Sequence, residues 1–209
     1  MEGELFFQLK GNAPWPSYGD SLFEGDNLGQ TNAMLGYGLD TLDLYAEGYK
    51  RGADQLVENA LAGRGTLDFV VYPVVYLYRH YLELKLKVII RDGCVLLDQP
   101  LSFPKHHNLL SLWLLSRGLM KEIFDEEDRV ATDAVEKCIR ELDKVDPDAQ
   151  KFRYPVDRNG VPTGPAVKTI GFVNLRKVME RIDAYLDAAV AAIDYDLEMR
   201  CEFRMEFGP

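Results

Sequence analysis

The chain has 209 residues, is 47% hydrophobic and carries 24 Lys and Arg against 34 Asp and Glu, for a formal net charge of -10. That length suits one domain with a sizeable core. The acidic balance argues against non-specific DNA or RNA binding, because no general excess of cations is available to displace counterions from phosphates.

Three cysteines, Cys94, Cys138 and Cys201, are far apart and lack C-x-x-C spacing, so a reduced protein without disulfides or structural zinc is expected. The first residues, MEGELFFQLKGNAPWP, place acidic groups where a secretion signal needs basic ones,. The longest apolar run, FVVYPVVYLY from Phe69, stops at Arg79, short of the roughly 20 residues of a membrane span. A cytoplasmic location without membrane contact is the expectation. Between Phe69 and Gly93 four basic residues outnumber two acidic ones, whereas between Lys121 and Asp148 eleven acidic residues face five basic ones. An anion site therefore belongs to the first region.

In chain order, residues 1–36 are rich in Gly, Pro and Asn yet contain Phe6, Phe7, Trp15, Leu22 and Phe23. Such aromatic content predicts an ordered arm packed on the body. The body, residues 37–198, reads as helices. Leu42, Tyr45, Ala46, Tyr49, Ala53, Leu56, Val57 and Ala60 recur at helical spacing over about 39–61,. A second helix is expected over about 69–92, with Pro73 near its first turn and Gly93 as its stop. A shorter one follows over about 108–117, with His107 or Asn108 in the capping region. The acidic DEED at Asp125 suits the positive end of a helix running to about Val145, where Asp146-Pro147 stops it.

FRYPVDRNGVPTGPAVKTIG then abandons helical spacing, and Asn159-Gly160 predicts a small β hairpin or sheet within residues 150–170. The last helix is expected over about 172–197. Cys201, Phe203, Met205 and Phe207 alternate with charges, so residues 199–209 read as a strand-like tail that pairs with LFFQLK near the start. The predicted fold class is mainly α, an antiparallel bundle of four to five helices with small β additions.

The second helix carries the most informative pattern. Arg79, His80, Glu83, Lys87 and Arg91 share about one third of its circumference, with apolar residues on both sides of that stripe. A helix with one wet face has a single apolar stripe, so this one should be central to the bundle or covered by another chain. Partly buried charges must then find partners or a ligand. The bland alternative is a ladder from Arg79 to Glu83 to Lys87. Two loops add to the stripe: His106-His107 before the short helix, and Arg153 beside Tyr154-Pro155.

Together these stretches resemble the HEPN superfamily (higher eukaryotes and prokaryotes nucleotide-binding). The resemblance rests on Glu83, Leu84, Leu86 and Lys87, then His107, Asn108 and Leu109, then Arg153, Tyr154 and Pro155, then the helix from Phe172, and covers about residues 39–197. It implies a four- or five-helix bundle, dimerisation, and a place in toxin–antitoxin or anti-phage systems. Many members are metal-independent ribonucleases with an Arg and, four to six residues later, a His on the last core helix. This chain has no such pair, and its last helix has no histidine, so that activity does not transfer by motif.

The expected function is binding of a nucleotide, phosphate or partner protein at a polar centre in the bundle. Glu83, Lys87, Arg153 and Tyr154 are the candidate ligand-binding residues; planar guanidiniums suit phosphates, and Tyr76, Tyr78, Tyr81 or Tyr154 offer ring faces for a base. The alternatives are a metal-independent ribonuclease with Arg79, His80 and His107 as candidate catalytic residues, and a structural constellation in which Glu83, Arg153 and Arg79 pair to hold the proline-rich loop. His80 and Glu83 have H-x-x-E spacing, but a di-iron bundle needs two Glu-x-x-His pairs. No metal or other cofactor is therefore expected. Phosphate-loop, nucleophile-elbow and zinc-protease motifs are missing from the sequence. A homodimer is the expected assembly, with a nucleotide, RNA or a partner protein as ligand.

Overall fold

The computed structural model describes residues 15–27, 29–36, 41–100, 104–124, 128–157 and 159–208. The chain divides into two units, Met1–Leu39 and Asp40–Pro209. In the first, local side-chain bonds set the turns: Asp20 accepts from the Ser17 amide and hydroxyl, both at 2.7 Å. Asn32 accepts from the Asp26 amide at 2.7 Å and donates to the Asp26 carbonyl at 2.8 Å, around a short 3-10 turn at Gly29–Thr31. Phe6 and Phe7, expected in the arm, lie outside the described residues.

The second unit is helical. Its helices are α1 (Thr41–Leu61), α2 (Leu67–Leu96), α3 (Leu109–Ile123), α4 (Arg129–Val145) and α5 (Phe172–Phe207). The helix α2 is central, packing against α1, α3 and α5, as its two apolar flanks require. Leu82, Leu86 and Ile89 of α2 are buried with Val57, Leu112, Trp113, Ile139, Leu186 and Ile193. No helix among the described residues is long and apolar enough to cross a membrane.

The helix starts follow simple capping chemistry. Asn108 accepts from the Ser111 amide at 2.7 Å, and Asp128 accepts from the Val130 and Ala131 amides at 3.0 Å, each satisfying donors that the first turn leaves open,. The DEED segment was expected to open α4 from Asp125, but the helix begins at Arg129; Asp125 to Glu127 lie outside the described residues.

Two expected boundaries are corrected. Gly93 does not stop α2. A β-carbon there would lie 3.4 Å from Leu119 and Ile123 side chains, so this glycine allows the close approach of α2 and α3, and the helix continues to Leu96. The short helix runs past Gly118 to Ile123, because Leu119 and Met120 bury beyond it.

The strand-like tail is helix. No Gly or Pro interrupts Phe172 to Phe207, and α5 continues to Phe207; the alternation of apolar and charged residues did not override that uninterrupted run. Arg200 reaches from α5 to the end of α2, donating to the Leu96 carbonyl at 2.7 Å and pairing with Asp98. This supplies a cation and donors to the carbonyls of a helix C-terminus. The proposed partner strand, LFFQLK, lies outside the described residues.

Among the described residues, the predicted hairpin in residues 150–170 reduces to one isolated bridge, Val156 to Pro162. Gly160 turns the chain at φ +78, and the Asp157 amide donates to the Val161 carbonyl at 2.8 Å. Pro155, Pro162 and Pro165 lack amide donors, so a ladder has nothing to propagate through.

A polar network closes α1, α2 and α5. Lys50 Nζ lies 3.0 Å from Asp54 and 3.2 Å from Asp183. The Tyr78 hydroxyl donates to Asp54 at 2.6 Å and the Tyr81 hydroxyl to Asp183 at 2.5 Å. Burial first, and the adjacent carboxylates second, push both phenols well above their ordinary range.

Leu186 is fully buried in the core cluster, to which all five helices contribute. Leu186→Ala is expected to lower stability by about 3 kcal/mol through lost burial and the residual cavity. Val130→Ala, at an exposed position, is expected to change it by less than about 0.5 kcal/mol. Urea unfolding of the two variants measures the contrast.

Candidate functional site

The stripe on α2 turns inward. Arg79 is 1% exposed and Glu83 2%. Arg79 Nε donates to the Asp146 carbonyl at 3.1 Å, and its Nη2 donates to the His107 carbonyl at 2.9 Å and the Pro147 carbonyl at 3.5 Å. Its carboxylate contacts are longer, 3.6 Å to Glu83 and 3.8 Å to Asp146. The guanidinium is therefore committed to main-chain carbonyls of two loops, the one before α3 and the one after α4.

Asp146 completes that anchor. Its Oδ1 accepts from the Gln150 and Lys151 amides at 2.8 and 2.9 Å, while Oδ2 is the oxygen facing Arg79 Nε. The loop after α4 is thus shaped by one carboxylate and held down by one guanidinium.

Glu83 organises the other side. Oε1 accepts from Lys87 Nζ at 2.8 Å and lies 2.7 Å from His107 Nδ1. Burial by itself would raise this carboxyl group; the hydrogen bonds and charges of Lys87 and His107 more than reverse that, and hold it below its ordinary value of 4.5,. The group is ionised at neutral pH, so Nδ1 carries the proton of that contact.

His80 leaves the polar ladder. Its ring meets Tyr49 edge-on at 4.4 Å and lies parallel to Tyr76 at 5.9 Å. Burial pushes its pKa down, with Lys87, His107 and Arg79 adding to the effect and Glu83 opposing it. It is a half-buried neutral ring among aromatic neighbours, not a solvent-facing acid or base.

Arg153 does not pair with Glu83 or Arg79, as the structural alternative expected. Its Nε donates to the Ala149 carbonyl at 2.6 Å, and its guanidinium carbon lies 5.4 Å from the Tyr76 ring centre and 5.6 Å from that of Tyr154,. Its terminal nitrogens make no hydrogen bond to protein among the described residues. Arg153 is one wall of a cleft of about 820 Å³, with Pro147, Gln150, Lys151, Tyr154, Val156 and Thr163, and Asp148 and Asp157 in the same walls.

Of the candidate residues, Arg79, Glu83, Lys87 and His107 come together, while His80 and Arg153 each contact the Tyr76 ring. Tyr78 and Tyr81 are buried with their hydroxyls engaged, so Tyr76 and Tyr154 are the rings of the proposed stacking set that flank Arg153. Sequence reasoning missed Asp146 and Lys151. The one signal at Asp146 was Asp-Pro at a helix end, which reads as punctuation. Among the described residues, no group of three or more His, Cys, Asp or Glu is arranged to hold a metal ion. Comparison with known proteins finds no matching family model, no matching curated protein and no matching solved structure.

Two consequences are measurable. A carboxyl group held below its ordinary value stabilises the fold above its unfolded-state pKa, and that contribution is lost as pH falls through the folded-state value. Glu83→Gln is therefore expected to be less stable at neutral pH and to flatten the acid side of the stability–pH curve below about 4.5; thermal melts across pH read this directly. Arg79→Lys keeps the charge but loses the planar fork. It is expected to cost about 2–4 kcal/mol and to speed hydrogen exchange at the Gln150 and Lys151 amides.

Proposed function

We propose that the Asp40–Pro209 unit binds a compact phosphate-bearing molecule, a nucleotide in the first instance, in the cleft between residues 147 and 163. Arg153 carries this reading. Its guanidinium is braced by two ring faces and a carbonyl, so little freedom is lost on binding, while its terminal nitrogens are left to meet a phosphate or carboxylate as a fork. Lys151 adds a second cation, Gln150 and Thr163 add neutral hydrogen-bonding groups, and the half-exposed Tyr154 ring offers a face to a base,.

Asp148 and Asp157 in the same walls, together with the net charge of -10, favour a small ligand whose phosphate meets the cations locally over a long polyanion. The engagement of Arg79 with main-chain carbonyls removes it from the phosphate-stabilising role open to it in a ribonuclease, and so favours binding over cleavage. The order Glu83, Lys87, His107, Arg153-Tyr154-Pro155 within a helical unit supports a HEPN-like assignment as part of this proposal, with a cytoplasmic homodimer as the working assembly.

Titration calorimetry with ATP, GTP, a short RNA and inorganic phosphate tests the reading. Wild-type protein is expected to bind at least one mononucleotide. Arg153→Ala and Lys151→Ala should each weaken it about tenfold or more, and Tyr154→Ala should weaken nucleotide more than phosphate. Absence of binding by wild-type protein to every mononucleotide rejects the proposal.

A further inference from the structure

His107 differs from the other two histidines of the chain. His80 is packed among rings and His106 has no carboxylate partner among the described residues, whereas His107 combines a fixed Nδ1 with a side chain that is 65% exposed. Glu83, 2% exposed, holds Nδ1 at 2.7 Å and is itself held by Lys87. With Nδ1 donating to that carboxylate, the neutral imidazole keeps its lone pair on Nε2, and a carboxylate behind the ring stabilises positive charge that develops on it.

The main chain of His107 is also tied to the edge of the cleft. Arg79 Nη2 donates to both the His107 and the Pro147 carbonyls, and Pro147 is part of the cleft wall. One buried guanidinium nitrogen therefore ties the backbone of the histidine to the edge of the space that Arg153 and Lys151 border.

We propose that His107 is a phosphoryl-accepting nucleophile whose donor is a nucleoside triphosphate held in this cleft, an inference that rests on the nucleotide-binding reading above. The Nε2 lone pair attacks the terminal phosphorus, a P–N bond forms, and the bond from that phosphorus to the bridging oxygen breaks. The electron pair departs with the nucleoside diphosphate. The ring, then cationic, is balanced by Glu83, and the product is a phosphohistidine.

This chemistry suits one imidazole. A diphosphate leaving group departs without an acid, while cleavage of an RNA phosphodiester requires an acid for the departing alkoxide as well as a base. The second imidazole near the site, His80, is enclosed by Tyr49 and Tyr76.

The test is incubation of the full chain with γ-phosphate-labelled ATP and magnesium, followed by analysis of the protein for acid-labile, alkali-stable label. The expected result is label on wild type and on His106→Ala, and none on His107→Ala. Circular dichroism checks that His107→Ala is folded, and His107→Gln, which keeps a polar group beside the buried Glu83 carboxylate, is expected to be unlabelled likewise. Glu83→Gln, where it folds, should label more slowly than wild type.

ATP binding without label, or label that persists in His107→Ala, overturns the inference while leaving the binding proposal standing. Absence of ATP binding overturns both. RNA cleavage in EDTA that is lost in His107→Ala, with no labelled protein, makes His107 an acid–base group and overturns its role as nucleophile.

Discussion

A guanidinium inside a helical core must be matched by acceptors, and at Arg79 those acceptors are main-chain carbonyls of two separate loops. Buried charge is costly when unpaired, so the loop before α3 and the loop after α4 are held to α2 by the requirement that this one side chain be satisfied. Asp146 makes the arrangement mutual, since its carboxylate both faces Arg79 and ties the Gln150 and Lys151 amides. The walls of the cleft follow from that pairing. The remaining bonds of the segment from 147 to 163 are local to it, among them the Val156–Pro162 bridge and the turn at Asp157.

The stripe on α2 thus divides its labour. Arg79 shapes backbone, Glu83 and Lys87 set the orientation of His107, and His80 serves as an aromatic support beneath Tyr76. The groups that face solvent come from elsewhere: Lys151, Arg153 and Tyr154 in the loop, and His107 before α3. The central helix anchors the loops, and the loop side chains reach solvent where the buried stripe of the helix does not.

The helices and the central place of α2 were legible because they depend on periodicity, which local sequence carries. Apolar residues on both sides of a polar stripe require burial on both sides, and α2 is buried so. Gly93 was misread for a physical reason: a glycine past a run of helical residues signals a stop, but it equally permits two helices to touch, and only the position of Leu119 and Ile123 decides between them. The tail was misread because period-two alternation over a few residues is weaker than the absence of any breaker across α5. At the site, the meeting of His107 with the stripe was expected from side-chain chemistry. The role of Arg79 was not, since backbone carbonyls bear no mark in a sequence, and the Lys50 network escaped because its members are spread over α1, α2 and α5 at ordinary positions.

The same reasoning separates two arginines that the sequence presents alike. Both are next to a Tyr, and both were candidates for an anion. Arg79 has its donors aimed at carbonyls 2.9 to 3.5 Å away and almost no exposed surface, so an anion would have to displace three main-chain contacts to reach it. Among the described residues Arg153 donates to protein only through Nε, and its other contacts are to ring faces, which do not use the donors that phosphate and carboxylate recognise,. Cation–π contact thereby fixes the plane of the group without consuming its donors.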